Sequence, residues 1–204
     1  MSDPHGFDLA PIVQTALEVS LVATAMILLL APRDRRVHEA VALILMAVIG
    51  RIAMAPLPNV QPVTLLVMLT AIRLGTARGI SLGILTAYLS NLYLGGGSWT
   101  VVQAMAWGSV GLTTGLFADL LRDRDGELSI GRLCALSFPM AFLFGFLVTL
   151  PMGMGVWFLG LPFDLIHAVG NVTIAVWFTE RFQSTLEWVR PDLNRGLTAP
   201  SRQV

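Results

Sequence analysis

Seven apolar stretches, separated by short polar connectors, limit what this 204-residue chain can fold into more than any motif does. They cover residues 12–31, 38–56, 62–74, 77–94, 100–121, 131–152 and 162–182. Most approach the ~20 residues with which a helix spans a bilayer. The stretch 62–74 would make only about 20 Å of helix. It must therefore be tilted, continued by irregular chain or shielded by neighbours. The pattern predicts an all-α membrane protein.

The composition agrees with this class. The chain is 55% hydrophobic and 13% charged, with a mean hydropathy of +0.73, whereas soluble domains carry about 25% charged residues. Its length suits one domain. A formal net charge of zero gives no indication of a nucleic-acid partner. Because Cys134 is the single cysteine, the chain has neither a disulfide framework nor a cysteine-based metal site.

The basic residues lie in or next to every second connector. They are arginines, and all but one lie around the first, third and fifth connectors or near the C-terminus: Arg33, Arg35, Arg36, Arg73, Arg78, Arg122, Arg124, Arg132, Arg181, Arg190, Arg195 and Arg202. The connectors 57–62, 95–99 and 153–162 carry none. Since positive loops stay in the cytoplasm, this predicts seven crossings of the cell (inner) membrane. The N-terminus would lie outside and the C-terminus in the cytoplasm.

The first apolar stretch is predicted to be a membrane helix and not a signal peptide. Residues 1–11 include no basic segment, and no small-residue cleavage site follows the stretch. Glu18 lies within it without an obvious partner, so we expect it to face a neighbouring helix.

The segment from Asn91 to Gly115 is the most unusual part of the chain. It contains a glycine turn at residues 95–97 and then four polar or aromatic side chains, Trp99, Thr100, Gln103 and Trp107. Few connectors in membrane proteins combine glycines, aromatic rings and amides so closely. We interpret the segment as one wall of a ligand site at the mouth of a membrane-embedded bundle.

Polar side chains on other stretches fall at the same depth. Arg51 lies in the outer half of the second stretch, and Asn59 lies in the connector after it. Positions 100, 103 and 107, like positions 164, 167 and 171, have helical spacing, so each set shares a face. The candidate substrate-binding residues are Arg51, Asn59, Asn91, Trp99, Gln103, Trp107, Asp164, His167 and Asn171.

Arg51 and Asp164 are the obvious pair among these candidates. An ionisable side chain inside a membrane segment is costly and faces the bundle interior or a water-filled cavity, with a partner. The two could form a structural ion pair, with His167 and Asn171 as hydrogen-bonded neighbours. They could equally belong to a ligand site. The number of amides, aromatic rings and charges that open to one side favours the ligand site, although Trp99 also suits an interfacial aromatic belt.

Two glycine pairs have the spacing that permits close approach of helices. They are Gly79-x-x-x-Gly83 and Gly111-x-x-x-Gly115. We expect tight packing within the protein, with docking to a partner subunit as the lesser alternative.

Several of these motifs resemble one family of membrane proteins. The motifs are Arg51, Pro58-Asn59-Val60-x-Pro62-Val63-Thr64, Gly75-x-x-x-Gly79-x-x-x-Gly83, Ser90-Asn91, Gly97-x-Trp99-Thr100-x-x-Gln103-x-x-Ala106-Trp107-Gly108 and Pro162-Phe163-Asp164-x-x-His167-Ala168-x-Gly170-Asn171. Together they resemble the substrate-binding S components of energy-coupling factor (ECF) transporters. The similarity is closest to a branch predicted to carry cobalamin or its precursors, and the Pro-Val-Thr segment also resembles the biotin S component. The resemblance covers roughly residues 38–182.

The resemblance implies a six-helix bundle with the ligand in its outer half. Stretches two to seven would form this core (residues 37–183). The first stretch would be an extra N-terminal transmembrane helix (residues 1–36), and residues 184–204 would form a polar cytoplasmic tail. The cytoplasmic side would dock to a transmembrane coupling subunit driven by two ATPase subunits. Because the chain has no Walker motif, ATP hydrolysis would belong to those partners.

The leading hypothesis is a subunit that captures a vitamin-like molecule and has no cofactor or chemistry of its own. One alternative is an intramembrane enzyme, because His167-x-x-x-Asn171 resembles a rhomboid protease pattern. That chemistry also needs a serine nucleophile and a second histidine, and His5 and His38 lie outside the outer cavity. A structural membrane subunit is the third hypothesis, which the lack of a polar cavity would favour. Two tryptophans and mixed polar groups suit a flat, partly polar heterocycle, but they also suit other ligands.

Overall fold

The computed structural model describes residues 8–124 and 126–189, and in the last helix it describes side chains as far as Trp177. These residues form seven α-helices: α1 (Pro11–Leu30), α2 (Val37–Ala53), α3 (Val63–Leu74), α4 (Thr76–Leu94), α5 (Ser98–Leu116), α6 (Ile130–Thr149) and α7 (Met154–Val189). Within the described part of the chain there is no strand, only an isolated bridge between Arg122 and Leu128. The fold is therefore all-helical, as predicted.

Among the residues that the structure describes, three segments are long and apolar enough to cross a membrane. They are Pro11–Leu30, Ile130–Met152 and Met154–Trp177. Together they are compatible with membrane insertion of an all-α protein. That α2, α3, α4 and α5 also cross stays a prediction, as does the division into a six-helix core and an extra helix.

The short helix α3 forms the centre of the bundle. Every residue from Val63 to Leu74 is buried except Arg73, which is half-buried. Of the three arrangements that the sequence allowed for this short stretch, shielding by neighbours is therefore the one observed. At Gly75, whose φ of 95° suits glycine, the chain turns directly from α3 into α4.

Glycines allow α4 and α5 to approach until their backbones touch. A Cβ at Gly111 would lie 2.6 Å from the carbonyl carbon of Gly79, and a Cβ at Gly83 would lie 2.7 Å from the backbone of Trp107. Gly115 is equally crowded by Thr76. The prediction that both glycine pairs serve internal packing is confirmed. This contact fixes the position of Trp107 along α4, opposite Gly83.

Basic side chains gather at one end of the bundle. The buried Arg78 donates hydrogen bonds to the Pro32 carbonyl at 3.0 Å and to Asp34 Oδ1 at 2.7 Å. Arg122 donates to the carbonyl of Ile72 at 3.3 Å. The alternation of arginine-bearing connectors is thus present in the fold, and its assignment to the cytoplasmic side stays a prediction.

Two predicted boundaries were wrong. Residues 153–162 are not a connector, because α7 begins at Met154 and continues through Pro162. The chain turns earlier, in a short 3-10 helix at Leu150–Met152 that ends at Gly153, where φ is 96°. Likewise α5 ends at Leu116, and a separate 3-10 helix covers Ala118–Leu121.

The predicted cytoplasmic tail is described only in part. Residues 184–189 belong to the backbone of α7. Residues 1–7 and 190–204 lie outside the described residues, and so does the side chain of Arg181. The predictions for the N-terminal segment and for the last arginines fall there.

Candidate ligand-binding cavity

Arg51 organises the polar groups at the end of the bundle opposite to the basic connectors. It lies in the last turn of α2 and is 6% exposed. Its Nη1 donates to Ser90 Oγ and, at 2.7 Å, to Asn91 Oδ1, and both acceptors lie in the last turns of α4. Its Nη2 donates to Gln103 Oε1 on α5 at 3.1 Å. One guanidinium therefore joins three helices through neutral acceptors.

Asn91 connects this guanidinium to the glycine turn. Its amide nitrogen donates to Thr100 Oγ1 at 3.0 Å and to Gln103 Oε1 at 2.9 Å. Thr100 Oγ1 also accepts from the backbone N–H of Gly97 at 3.3 Å. The turn after α4 begins at Gly95, whose φ of 104° few side chains tolerate. The unusual segment that begins at Asn91 is thus one hydrogen-bonded wall.

Trp107 forms the aromatic part of the site. The Arg51 Cζ lies 5.0 Å from the centroid of its ring, in the range of a cation–π contact. Trp107 also stacks on Phe144 of α6, with the centroids 4.6 Å apart and the rings inclined by 26°. Its indole N–H donates to Thr64 Oγ1 at 3.1 Å. The ring is therefore fixed by contacts on three other helices.

His167 closes the site from α7. Its Nε2 lies 2.9 Å from Thr64 Oγ1. Because that oxygen already accepts from Trp107, its own proton can be donated to His167. The imidazole also meets Phe144 edge-on, with centroids 5.4 Å apart and an interplanar angle of 90°.

These side chains enclose a cavity of about 100 Å³. It is lined by Arg51, Asn59, Gln61, Val63, Thr64, Gln103, Trp107, Phe144 and His167. Asn59 reaches it from the connector between α2 and α3 and has a φ of 55°, a conformation that asparagine tolerates better than most residues. Among the described lining residues, Arg51 is the one with a permanent charge. The cavity is large enough for a few waters and is smaller than typical ligand clefts of roughly 300–1,000 Å³.

Most of the predicted site residues converge here, but not all. Five line the cavity, namely Arg51, Asn59, Gln103, Trp107 and His167, and Asn91 lies behind them in the hydrogen-bond network. Trp99, Asp164 and Asn171 do not line it. The ring of Trp99 lies over Gly97, where a Cβ would be 2.1 Å from the indole.

Of the two alternatives for the described residues Arg51 and Asp164, the structural ion pair is not observed. No ion pair joins these two described residues, since the hydrogen bonds of Arg51 go to neutral groups on α4 and α5. Asp164 turns instead towards α6, where a Cβ at Gly145 would lie 1.9 Å from its Oδ1. Its Oδ2 and both polar atoms of the buried Asn171 have no hydrogen-bond partner. The absence of a Cβ at position 145 leaves the space that the carboxylate occupies.

Five residues of the site were not among the candidates, namely Gln61, Val63, Thr64, Ser90 and Phe144. Thr64 appeared only as part of the Pro-Val-Thr motif, and Ser90 only as the neighbour of Asn91. Both are buried near helix ends, where Thr64 accepts a hydrogen bond from Trp107 and Ser90 accepts one from Arg51. Phe144 is one of many apolar residues in α6, and no sequence signal distinguishes it.

The described residues contain no group of three or more histidine, cysteine or acidic side chains that could hold a metal ion. The polar and aromatic groups of the site are one guanidinium, neutral amides, a hydroxyl, the His167 imidazole and the rings of Trp107 and Phe144.

The fold and the cavity define an all-helical protein, compatible with membrane insertion, with a polar site at one end of its bundle. Comparisons of the chain with protein-family profiles, curated proteins and solved structures found no match.

Proposed function

We propose that the chain is the membrane-embedded substrate-capture subunit of an ECF-type uptake transporter. It binds a small vitamin-like molecule in the cavity beside Arg51. The observation that carries this proposal is a buried guanidinium that joins three helices and opens into a polar cavity with an aromatic side. A purely structural subunit has no need of such a cavity.

The chemistry of the cavity favours a ligand with an anionic or electron-rich polar group. Arg51 is surrounded by neutral acceptors, and its Nε has no hydrogen-bond partner. A carboxylate or a similar group on the ligand would supply the missing counter-charge and accept charge-assisted hydrogen bonds. Gln61 and Asn59 add amide groups to the lining of the cavity. Trp107 and Phe144 provide apolar surface for a ring.

The size of the cavity favours a compact ligand. At about 100 Å³ the site accepts cobalamin or a precursor only if it opens. The connector between α2 and α3 is the part that can open, because residues 55–59 are exposed and Pro56, Pro58 and Pro62 prevent a continuous helix there. We propose that this connector acts as a lid, with Asn59 and Gln61 on its inner side.

The proposed topology follows the arginines. The cavity end would face outside, with the N-terminus on the same side. The arginine-rich end would face the cytoplasm, where a transmembrane coupling subunit with two ATPase subunits would dock. The lipid bilayer would surround the exposed apolar faces of α1 and α7, which carry Ile12 and Leu159, each 80% exposed.

Native mass spectrometry of the protein purified in mild detergent tests this proposal. We expect a small molecule to co-purify with the wild-type chain and its occupancy to fall about tenfold or more in Arg51→Met, because a charge-assisted hydrogen bond contributes roughly 1.5–3 kcal/mol. Arg78→Met is the matched control, since Arg78 is an equally buried arginine at the other end. It should lower stability and leave occupancy unchanged. Equal occupancy in wild type and Arg51→Met would refute the site.

A hydrolase is the second candidate, and the pair of Thr64 and His167 is the observation that favours it. The hydroxyl and Nε2 are 2.9 Å apart, which is the distance between a nucleophile and its base. The described residues provide no hydrogen bond that orients Nδ1 of His167, which such a base requires. Labelling with a fluorophosphonate or β-lactone probe distinguishes the two functions. The capture subunit should remain unlabelled, whereas labelling lost in Thr64→Val would favour the hydrolase.

A further inference from the structure

A second polar cleft lies between α1 and the glycine turn. It has a volume of about 210 Å³ and is lined by Glu18, Tyr88, Asn91, Leu92, Gly96 and Thr100. Asn91 and Thr100 separate it from the Arg51 guanidinium. The cleft is thus distinct from the cavity between α2, α3 and α7.

Hydrogen bonds hold Glu18 in place at the cleft. The backbone N–H of Leu9 donates to Ser98 Oγ at 2.8 Å, which ties the start of α1 to the start of α5. The Ser98 hydroxyl donates to Gln14 Oε1 at 3.4 Å. Gln14 Nε2 in turn donates to Glu18 Oε1 at 2.9 Å. The Glu18 carboxylate therefore has a defined position, one helical turn after Gln14, the residue through which α1 contacts Ser98 of α5.

The charge of this carboxylate is not balanced by the residues that the structure describes. Glu18 lies in a helix long and apolar enough to cross a membrane, where an ionised side chain needs a partner. Its hydrogen-bond partner Gln14 is neutral, and no described arginine or histidine lines the cleft. The amide donors of Asn91 are already used by Thr100 and Gln103. The cleft therefore presents a negative charge together with an aromatic ring, Tyr88.

We propose that this cleft binds the ammonium group of an amine. Glu18 supplies the charge, and the ring of Tyr88 supplies a face that attracts cations. A bare metal ion suits the cleft less, because such ions need several oxygen ligands, and the amide oxygen of Asn91 is already occupied by Arg51.

The amine can come from a phospholipid headgroup or from a free small molecule. The lining of the cleft favours the lipid, because Leu92 is 69% exposed and offers an apolar surface for acyl chains. The two sources share the ammonium chemistry, and separate experiments distinguish them.

The first experiment measures lipid retention by native mass spectrometry. Full-length protein is exchanged into micelles that contain equal amounts of phosphatidylethanolamine and phosphatidylglycerol. We expect the wild-type chain to retain the ethanolamine lipid preferentially. Glu18→Gln should lower the retained fraction about tenfold, since one charge-assisted contact is lost. Glu127→Gln, in an exposed connector at the other end, is the matched control and should behave as wild type.

The second experiment measures thermal unfolding with ethylammonium chloride or sodium chloride at equal concentration. Stabilisation by ethylammonium alone, lost in Glu18→Gln, with no lipid preference, would assign the cleft to a free amine. Tyr88→Leu, which keeps the charge and removes the ring, should weaken either effect several-fold. The proposal is refuted if the wild-type chain shows neither effect, or if the preference persists unchanged in Glu18→Gln.

Discussion

Substituting Gly111 by alanine tests the contact on which the position of Trp107 depends. A Cβ at Gly111 would lie 2.6 Å from the Gly79 carbonyl carbon and 2.7 Å from the Ile80 nitrogen. Both are backbone atoms of α4, so no side-chain rotation can relieve the clash. The two helices would have to separate by about 1 Å to reach an ordinary contact.

A second glycine of α5, Gly108, allows the cost of overpacking at Gly111 to be separated from the gain in helix propensity. At Gly108 the nearest atom to a new Cβ is Ile84 Cγ1 at 3.5 Å, which is an ordinary contact. Both substitutions gain the same helix propensity, about 1 kcal/mol. Only Gly111→Ala adds overpacking, which costs roughly 1–3 kcal/mol. The difference between the two variants should therefore be about 1–3 kcal/mol in favour of Gly108→Ala.

Tryptophan fluorescence during thermal unfolding in detergent measures this difference, since the chain has five tryptophans. We expect Gly108→Ala to unfold at or above the wild-type temperature, and Gly111→Ala to unfold several degrees below Gly108→Ala. Equal midpoints for the two variants would show that α4 and α5 are not in backbone contact. The reasoning about the α5 wall of the cavity would then fail.

Two further perturbations test the ends of the bundle. Trp107→Phe keeps a ring but removes the N–H that bonds Thr64, so we expect a loss of roughly 1 kcal/mol in unfolding free energy. Trp177→Phe, at a position that is 70% exposed, should cost less, and equal losses would contradict the assigned hydrogen bond. At the other end, the hydrogen bond from Arg78 holds the pKa of Asp34 below its usual 3.8. Because the folded-state pKa is the lower one, the pair stabilises the fold above about pH 4 and loses this effect as the pH falls through the folded-state pKa. Asp34→Asn should therefore lower the unfolding temperature at pH 7, and this deficit should shrink as the pH is lowered below about 4, whereas a deficit that does not change with pH would contradict the pairing.

Much of the fold could be predicted because helix existence follows from apolar length. The stretches around α1 to α6 correspond to helices, and the close approach of α4 and α5 follows from glycine spacing. The start of α7 was missed because Pro162 was taken as a boundary. A proline inside a membrane helix is tolerated when neighbours and local adjustments satisfy the freed backbone groups, and this depends on packing that the sequence does not display.

In the candidate site too, helical spacing predicted some positions, and the packing of α7 determined the others. Residues three and seven positions apart on a helix differ in direction by about 60° and 20°. Asp164 and Asn171 therefore point almost the same way, while His167 is offset from both. Spacing alone placed all three on one face, but the rotation of α7 is set by its contact with α6 at Gly145. Only His167 reaches the cavity.

The missing ion pair bears on the choice between a structural and a ligand-binding role for Arg51. A structural pair would have supplied a carboxylate, but the described partners of the guanidinium are neutral. Burying a cation without a counter-charge is costly. Such an arrangement is expected where a ligand brings the counter-charge. Gln103→Glu separates the two roles, because Gln103 Oε1 already lies 3.1 Å from Nη2 and a carboxylate there would be a built-in partner.

We expect Gln103→Glu to change stability and ligand occupancy in opposite directions. The new pair should keep or raise the unfolding temperature, because the guanidinium gains a charge-assisted hydrogen bond. The same carboxylate would compete with an anionic ligand and repel it, so the co-purifying small molecule should fall about tenfold or more in native mass spectra. Gln61→Glu, in the connector between α2 and α3 that lines the cavity, is the control for an added charge without the contact to Arg51. If Gln103→Glu raises the unfolding temperature and leaves occupancy unchanged, Arg51 stabilises the fold and does not bind the ligand.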